Sequence, residues 1–336
     1  MRQSSAARLA FHTGLLVAAA VATLLGLPSI LDAQPSSRTA TRLITLGTRS
    51  GPFPTSARAQ ASNALVVGDA VYVIDAGDGV ARRLAKAGVA IRNIEAIFLT
   101  HLHDDHTSGL VPLLSVEYQL DRSARVGIYG PPQTEALTAA AVRFLTINSD
   151  IRMSDGTRSR SISTIIAGHD VEPGVVYRDS NITVRAVENS HFHFPADSPS
   201  YARTRSYSYR VEAPDRTIVF TGDTGPSDAV ADLAKGADVL VAEISSLEEL
   251  KEVRVRDGSW ARWTPEQQAN YVRHLTDEHL AADDVARIAT RAGVKSVVLT
   301  HLPATADPRD EYRRYADAVK KGFSGQVFVA SDLAEF

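Results

Sequence analysis

The sequence predicts an α/β protein whose sheets are covered by helices. Short β-branched apolar runs, several closed by Gly, alternate along the chain with amphipathic helical patterns. Both halves run from strands to helices in similar order, without a repeat of fixed period. At 336 residues the chain can bury a substantial core, as one large domain or two small ones.

The elements follow in order. "RLITLG", "ALVVG", "AVYVIDAG" and "IEAIFLT" read as strands. Between the last two, "GVARRLAKAGV" sets Val80, Leu84 and Ala87 on one face and reads as a helix ending at Gly88. Helix "SGLVPLLSVEYQL" and strand "RVGIYG" come next. The second half opens with strands "NITVRAVENS", "SYSYRVE" and "RTIVFTGD". Helix "PSDAVADLAKG", strand "ADVLVAEIS", helix "AADDVARIATRAG", strand "KSVVLT" and a final helix "PRDEYRRYADAVKKG" complete it. The segment 131–179 fits this grammar less well, with a helix "TEALTAAAVRFLTI" and the polar stretch "DIRMSDGTRSRS". It reads as an insertion near a site or a subunit contact, or as a plain surface excursion.

Residues 1–33 have the order of a secretory signal. Arg2 and Arg8 precede an apolar run from Leu15 to Leu27, followed by Pro28 and the small Ala33. That run falls short of the ~20 residues needed to span a bilayer, so no stable membrane anchor is expected. Cleavage after Ala33 would leave a Ser/Thr-rich link at 34–42 and a body at 43–336, exported to the periplasm or secreted. There is no cysteine, which rules out disulfides and thiolate metal ligands, so any metal must be held by nitrogen and oxygen. The formal charge of −3 lacks the strong basic field of a general nucleic-acid binder.

The densest chemistry is "HLHDDH", three histidines and two aspartates at 101–106, directly after an apolar strand. A divalent cation turns such buried charge from a cost into bonding. His101 and His103 can turn toward one point, and Asp105 and His106 toward a neighbouring one. Asp104 is left facing solvent. Further candidates leave other strands: His191 in "AVENSHF", His301 in "VVLTHLP", and Asp223 in "VFTGDTGP", where Gly222 and Gly225 imply a close backbone approach.

This ordered set resembles the metallo-β-lactamase fold hydrolases over nearly the whole body. The segment "HLAADDVARIATRAGVKSVVLTH", led by His279 and closed by His301, is similar to the ribonuclease Z and arylsulfatase-like branch, as are "LITLGTRSGP" and "VIDAGDGV". The resemblance implies a four-layer αββα sandwich with two divalent metal ions, Zn2+ by default. His101, His103 and His191 would bind one ion, Asp105, His106 and His301 the other, and Asp223 would bridge. Asp75 would orient the ligand imidazoles from behind, or else cap the helix that follows it. Asp105 and His279 are the expected catalytic residues, and a homodimer is common in the branch.

His193 and His274 are neighbours that compete with His191 and His279 for a site role. His169 reads as a loop histidine. Phe192, Phe194, Tyr201, Trp260 and Trp263 either shape a pocket or pack a lid. The expected reaction is metal-dependent hydrolysis of an ester by a metal-bridging hydroxide. Export and the lack of an RNA-clamping arm favour a small-molecule phosphodiester or aryl sulfate and no tRNA. The alternatives are a β-lactam or lactone, or a non-catalytic metal-holding protein.

Overall fold

The computed structural model of the chain describes residues 40–121, 124–303 and 312–336. The leader expected at 1–33 and most of the link lie outside them. Among the described residues, no helix is long and apolar enough to cross a membrane.

The first half builds β1 (Arg42–Gly47), β2 (Ser62–Val67), β3 (Ala70–Ile74), β4 (Ile94–Phe98), β5 (Val126–Gly130) and β6 (Ile166–Asp170). Helices α1 (Val80–Lys86), α2 (Asp104–Thr107), α3 (Leu110–Gln119) and α4 (Thr134–Ser154) lie in its crossovers. The second half builds β7 (Gly174–Arg178), β8 (Thr183–Glu188), β9 (Tyr207–Glu212), β10 (Thr217–Phe220), β11 (Val239–Glu243), β12 (Ser296–Thr300), β13 (Gln326–Val329) and the short β14 (Ala334–Glu335). Its helices are α5 (Pro199–Arg203), α6 (Asp228–Leu233), α7 (Leu247–Arg256), α8 (Ser259–Arg262), α9 (Pro265–Asp277), α10 (Ala282–Ala292) and α11 (Arg313–Val319).

Two seven-stranded sheets result, in the orders β14-β1-β2-β3-β4-β5-β6 and β13-β12-β11-β10-β9-β8-β7. In each sheet, antiparallel pairs at one end give way to parallel pairs at the other (β3 to β6, β10 to β13). Parallel strands need crossovers, and these are the helices that cover the outer faces.

Strand periodicity divides the side chains among three cores. Along β3, Tyr72 and Ile74 point between the sheets while Val71 and Val73 meet the helices; along β4, Phe98 and Ile97 divide the same way. Phe98, Tyr129, Tyr177 and Tyr209 form an aromatic group between the sheets, with Phe98 5.5–5.8 Å from each of the others. Val80, Leu84, Leu113 and Leu145 cover the first sheet, and Val230, Val285, Ile288 and Val319 cover the second. The fold is thus a four-layer αββα sandwich.

The segment 131–179 is woven into both sheets. It carries α4, the edge strand β6 of one sheet and the edge strand β7 of the other, so the chain changes sheets within it. α4 runs through the first residues of the polar stretch to Ser154, and apolar periodicity does not mark this extension because the buried face is mostly small and polar: Thr134, Thr138, Ala141 and Ser149 beside Leu145. His169 stands on β6, not in a loop, with its ring stacked 4.7 Å from Tyr129. Pairing with β5 explains this, since Tyr129 lies opposite His169 in register.

Phe98→Ala should destabilise the protein by about 3–5 kcal/mol. Ile147→Ala, at a side 72% exposed on α4, should stay within about 0.5 kcal/mol of the parent. Denaturant melts of the two variants check the assignment of the inter-sheet core.

Candidate metal centre and active site

The candidate residues stand at or just beyond the carboxyl ends of strands: Asp75 after β3, His101 after β4, His191 after β8, Asp223 after β10 and His301 after β12. Helical crossovers approach a parallel sheet there and leave a crevice. Three of these strands turn sharply through the left-handed region, at Asp75 (φ 61), Gly222 (φ 58) and His301 (φ 52). Such conformations in non-Gly residues persist only where the surroundings over-determine them.

Main-chain bonds pin the loop that carries the histidine cluster. Ala76 N–H donates to His106 O at 2.8 Å, Gly109 N–H to Ala76 O at 2.8 Å, and Tyr207 N–H to Thr100 O at 2.8 Å. Asp104 and Asp105 open α2, where a helix N-terminus favours negative charge. Asp104 faces solvent while Asp105 and His106 are buried. A side chain on Gly225 would overlap the Asp277 carbonyl oxygen, and one on Gly222 would press on Thr100. The close approach is that of β10's loop to the segment bearing His279.

Two groups of ligand atoms result. In the first, His101 Nε2 lies 3.0 Å from His103 Nδ1, which lies 3.3 Å from His191 Nε2. In the second, His301 Nε2 lies 3.2 Å from Asp105 Oδ2 and 3.3 Å from Asp223 Oδ2, while His106 Nε2 lies 3.3 Å from Asp223 Oδ1. Asp223 also approaches the first group, with Oδ2 3.9 Å from His101 Nε2. Each group could hold a metal ion.

The outward ring nitrogens show which atoms carry the inward lone pairs. His191 Nδ1 faces the Glu278 carbonyl oxygen at 3.0 Å and His106 Nδ1 faces Asp75 Oδ2 at 2.9 Å. Both oxygens only accept, so both Nδ1 atoms donate and both Nε2 atoms are free to ligate. His106 Nε2 and Asp223 Oδ1 are buried and have no hydrogen-bond partner. Orphaned buried polar atoms aimed at one another are costly, and a cation between them removes the cost. The donor set, nitrogen and oxygen without sulfur, suits zinc.

The electrostatics agree. Burial pushes His101 well below the usual imidazole range and His191 down to about 3, so both rings are neutral, the form that could ligate a metal. Burial works against the charged form of Asp223, but His301 and His106 override it and hold this carboxyl well below the usual range. Burial likewise opposes a charged His106, and Asp223, Asp105 and Asp75 override it and pull the ring well above its usual range. Without a cation Nε2 would therefore carry a proton toward Asp223, and a bound cation would take that proton's place.

Asp75 accepts from Thr100 N–H at 2.7 Å and touches His106 Nδ1, whereas the N-cap of α1 is Gly79. It stands behind the ligands rather than capping the helix. His279 Nδ1 meets Glu243 Oε2 at 2.8 Å. Burial pulls His279 down, but Glu243 overrides it and raises the ring to about 9, so the pair holds a proton on the imidazole. Glu243 also accepts from Thr224 N–H at 2.6 Å. Sequence reasoning missed Glu243; the signal was an acidic residue closing the fully buried strand "VLVAE". His274 lines the cavity and bonds Glu278 at 2.6 Å, whereas His193 lies half exposed, 3.9 Å from Glu278. Phe192 packs its ring 4.6 Å from His191 and 5.3 Å from His103, and Phe194 stacks on it. Tyr201 lies under Arg205, 4.9 Å from its guanidinium.

A cavity of about 360 Å3 opens onto these groups, lined by His103, Asp105, His191, Asp223, His279 and His301 among others. Residues 71–302 match the model of the beta-lactamase superfamily domain. The chain belongs to the beta-lactamase superfamily. Within it, the chain is 31% identical to a ribonuclease Z of Mycobacterium sp. (strain KMS), over 86% of this chain and 93% of that relative. It is 28% identical to the ribonuclease Z of Mycobacterium bovis (strain BCG / Pasteur 1173P2), over 86% and 95% respectively. Solved structures share the fold. They include the metallo-beta-lactamase fold protein YhfI from Bacillus subtilis (TM-score 0.61, 20% identity, covering 88% of this chain and 98% of that one) and human tRNase Z, short form (TM-score 0.59, 20% identity, 88% and 98%). As a member of this superfamily the protein is a metal-dependent hydrolase acting on ester bonds.

These findings correct the expected substrate. The relatives aligned along almost their whole length are named for cutting RNA, and tRNase Z is a fold neighbour. That overturns the small-molecule ester reading with its aryl sulfate, β-lactam and lactone variants, the non-catalytic alternative, and the expectation of no tRNA; it does not bear on export. Net charge was a poor guide for a physical reason: a sum over the chain says nothing of the local field in one cavity.

Asp75→Ala should weaken metal binding about 10- to 100-fold, measured by competition with a chromogenic chelator. Unchanged affinity would remove Asp75 from the support of the site.

Proposed function

We propose that the protein is a ribonuclease that hydrolyses a phosphodiester bond of RNA, with a tRNA precursor as the first substrate to test. The carrying observation is the buried His279–Glu243 pair in the same cavity as Asp105 and the two ligand groups. The end-to-end likeness to proteins named ribonuclease Z supports RNA as the substrate. One divalent ion in each ligand group, with Asp223 shared, suits the donor atoms, and zinc suits their chemistry. When bound, such ions acidify water and offset the charge developing on phosphoryl oxygens.

The chain's own groups supply positioning and proton transfer. Asp105 is tied to His301 through Oδ2 and lines the cavity, so its carboxylate can take the proton of the attacking water. As the new P–O bond forms, the P–O bond to the ribose oxygen breaks. His279, oriented by Glu243, gives its proton to that oxygen through the nitrogen not bonded to the carboxylate. Glu243 then faces a neutral ring and favours its reprotonation.

His279→Ala should lower kcat on the RNA about 10²- to 10⁴-fold with a much smaller effect on KM. Cleavage by the parent should stop with a chelator and return with zinc. A parent that cuts no RNA while hydrolysing simple diesters would overturn the ribonuclease reading. Export is a separate proposal resting on residues 1–33 alone: the mature protein should begin at Gln34, which N-terminal sequencing of material from its native host checks.

A further inference from the structure

Between Glu243 and His279 the chain makes a cap of three helices, α7, α8 and α9, with a single buried residue, Leu275, among them. The cap is not an extension of the core, and its side chains hold it together. Trp260, Trp263 and Tyr271 cluster with ring centroids 5.1–6.5 Å apart, and Gln268 bonds the Trp260 carbonyl at 2.8 Å. Glu249 docks α7 on α11 through Arg314 and Tyr315 at 2.6–2.7 Å.

One cation of this cap reaches the cavity. Arg254 is the sole Lys or Arg among the described residues that line it; the other charged lining groups are carboxylates and histidines. Its guanidinium lies 5.7 Å from the Tyr271 ring centroid and 6.0 Å from that of Trp263. Its Nε is buried without a hydrogen-bond partner, and its contact with Asp257 is long, 3.4 Å. An arginine steadied by two rings, lining an ester-hydrolysing cavity and tied to a carboxylate only by one long contact through Nη1, is suited to an oxyanion.

We propose that Arg254 is a specificity-determining residue that binds a phosphate flanking the scissile bond of the RNA. The inference rests on the ribonuclease reading above and deepens it. The ions and His279 serve the reacting phosphate, while Arg254 on its separate cap holds the strand beside it. A diester with no neighbouring phosphate therefore gains nothing from Arg254.

The test compares the zinc-loaded parent, Arg254→Ala, Arg254→Lys and Lys251→Ala on an RNA hairpin with a 3′ extension and on bis(p-nitrophenyl) phosphate. Lys251 sits over Trp260 at 4.8 Å and does not line the cavity, so its variant controls for the integrity of the cap. Arg254→Ala should raise KM for RNA roughly tenfold or more, with kcat and all turnover of the simple diester nearly unchanged. The salt dependence of RNA KM should lose about 0.7–0.9 of a log unit per log unit of salt in Arg254→Ala. Arg254→Lys should keep that slope with intermediate KM, and Lys251→Ala should match the parent. The assignment is overturned if Arg254→Ala leaves RNA KM and its salt slope unchanged, or damages both substrates alike. A parent that turns over the diester but not RNA would overturn the ribonuclease reading itself, and this inference with it.

Discussion

The structure depends on one electrostatic constraint: His106 Nε2 and Asp223 Oδ1 face each other 3.3 Å apart, both buried and both without a hydrogen-bond partner. Around them His101, His103, His191, His301 and Asp105 converge with inward lone pairs. In water each group would be solvated, so bringing them together without a cation costs several kcal/mol per buried charge. The outward nitrogens of His106 and His191 are committed to an acceptor, which locks the rings in the ligating tautomer. The sandwich supplies the stiffness this requires, since β3, β4, β8, β10 and β12, which lead to these residues, are each paired with a strand on both sides.

The site has two shells with different mechanical character. Metal-directed groups sit on strand ends and on the pinned loop at 101–106, where displacement would disturb the inter-sheet core. His279 and Arg254 belong to the long connection between β11 and β12. His279 is fixed at its base by Glu243 on β11, whereas Arg254 is steadied by aromatic rings on a cap with little buried surface. The two groups thus differ in what fixes them: a buried carboxylate on a core strand for His279, aromatic rings of the cap for Arg254.

Much of this was legible in the sequence, for identifiable reasons. Strands β4, β10 and β12 are short β-branched runs, and a polar residue abruptly ending such a run stands out: His101, Asp223 and His301 were found so, whereas Asp75 was reached only through the resemblance carried by "VIDAGDGV". Glu243 escaped because a carboxylate closing a strand also reads as an ordinary solvent-facing terminus; only its bond to His279, 36 residues away, reveals it. The α7–α9 cap escaped because its helices have almost no buried face to generate a periodic pattern. His169 was misplaced because β6 is an exposed edge strand, with polar residues where alternation would be sought. The substrate was misjudged because neither net charge nor a leader sequence reports on the field inside a cavity.

The most direct measurement of the central claim is anomalous diffraction at the zinc edge from crystals of the zinc-reconstituted protein. The account predicts two peaks, one among His101, His103 and His191 and one among Asp105, His106 and His301, with the Asp223 carboxylate between them. No anomalous peak within reach of these side chains would contradict it.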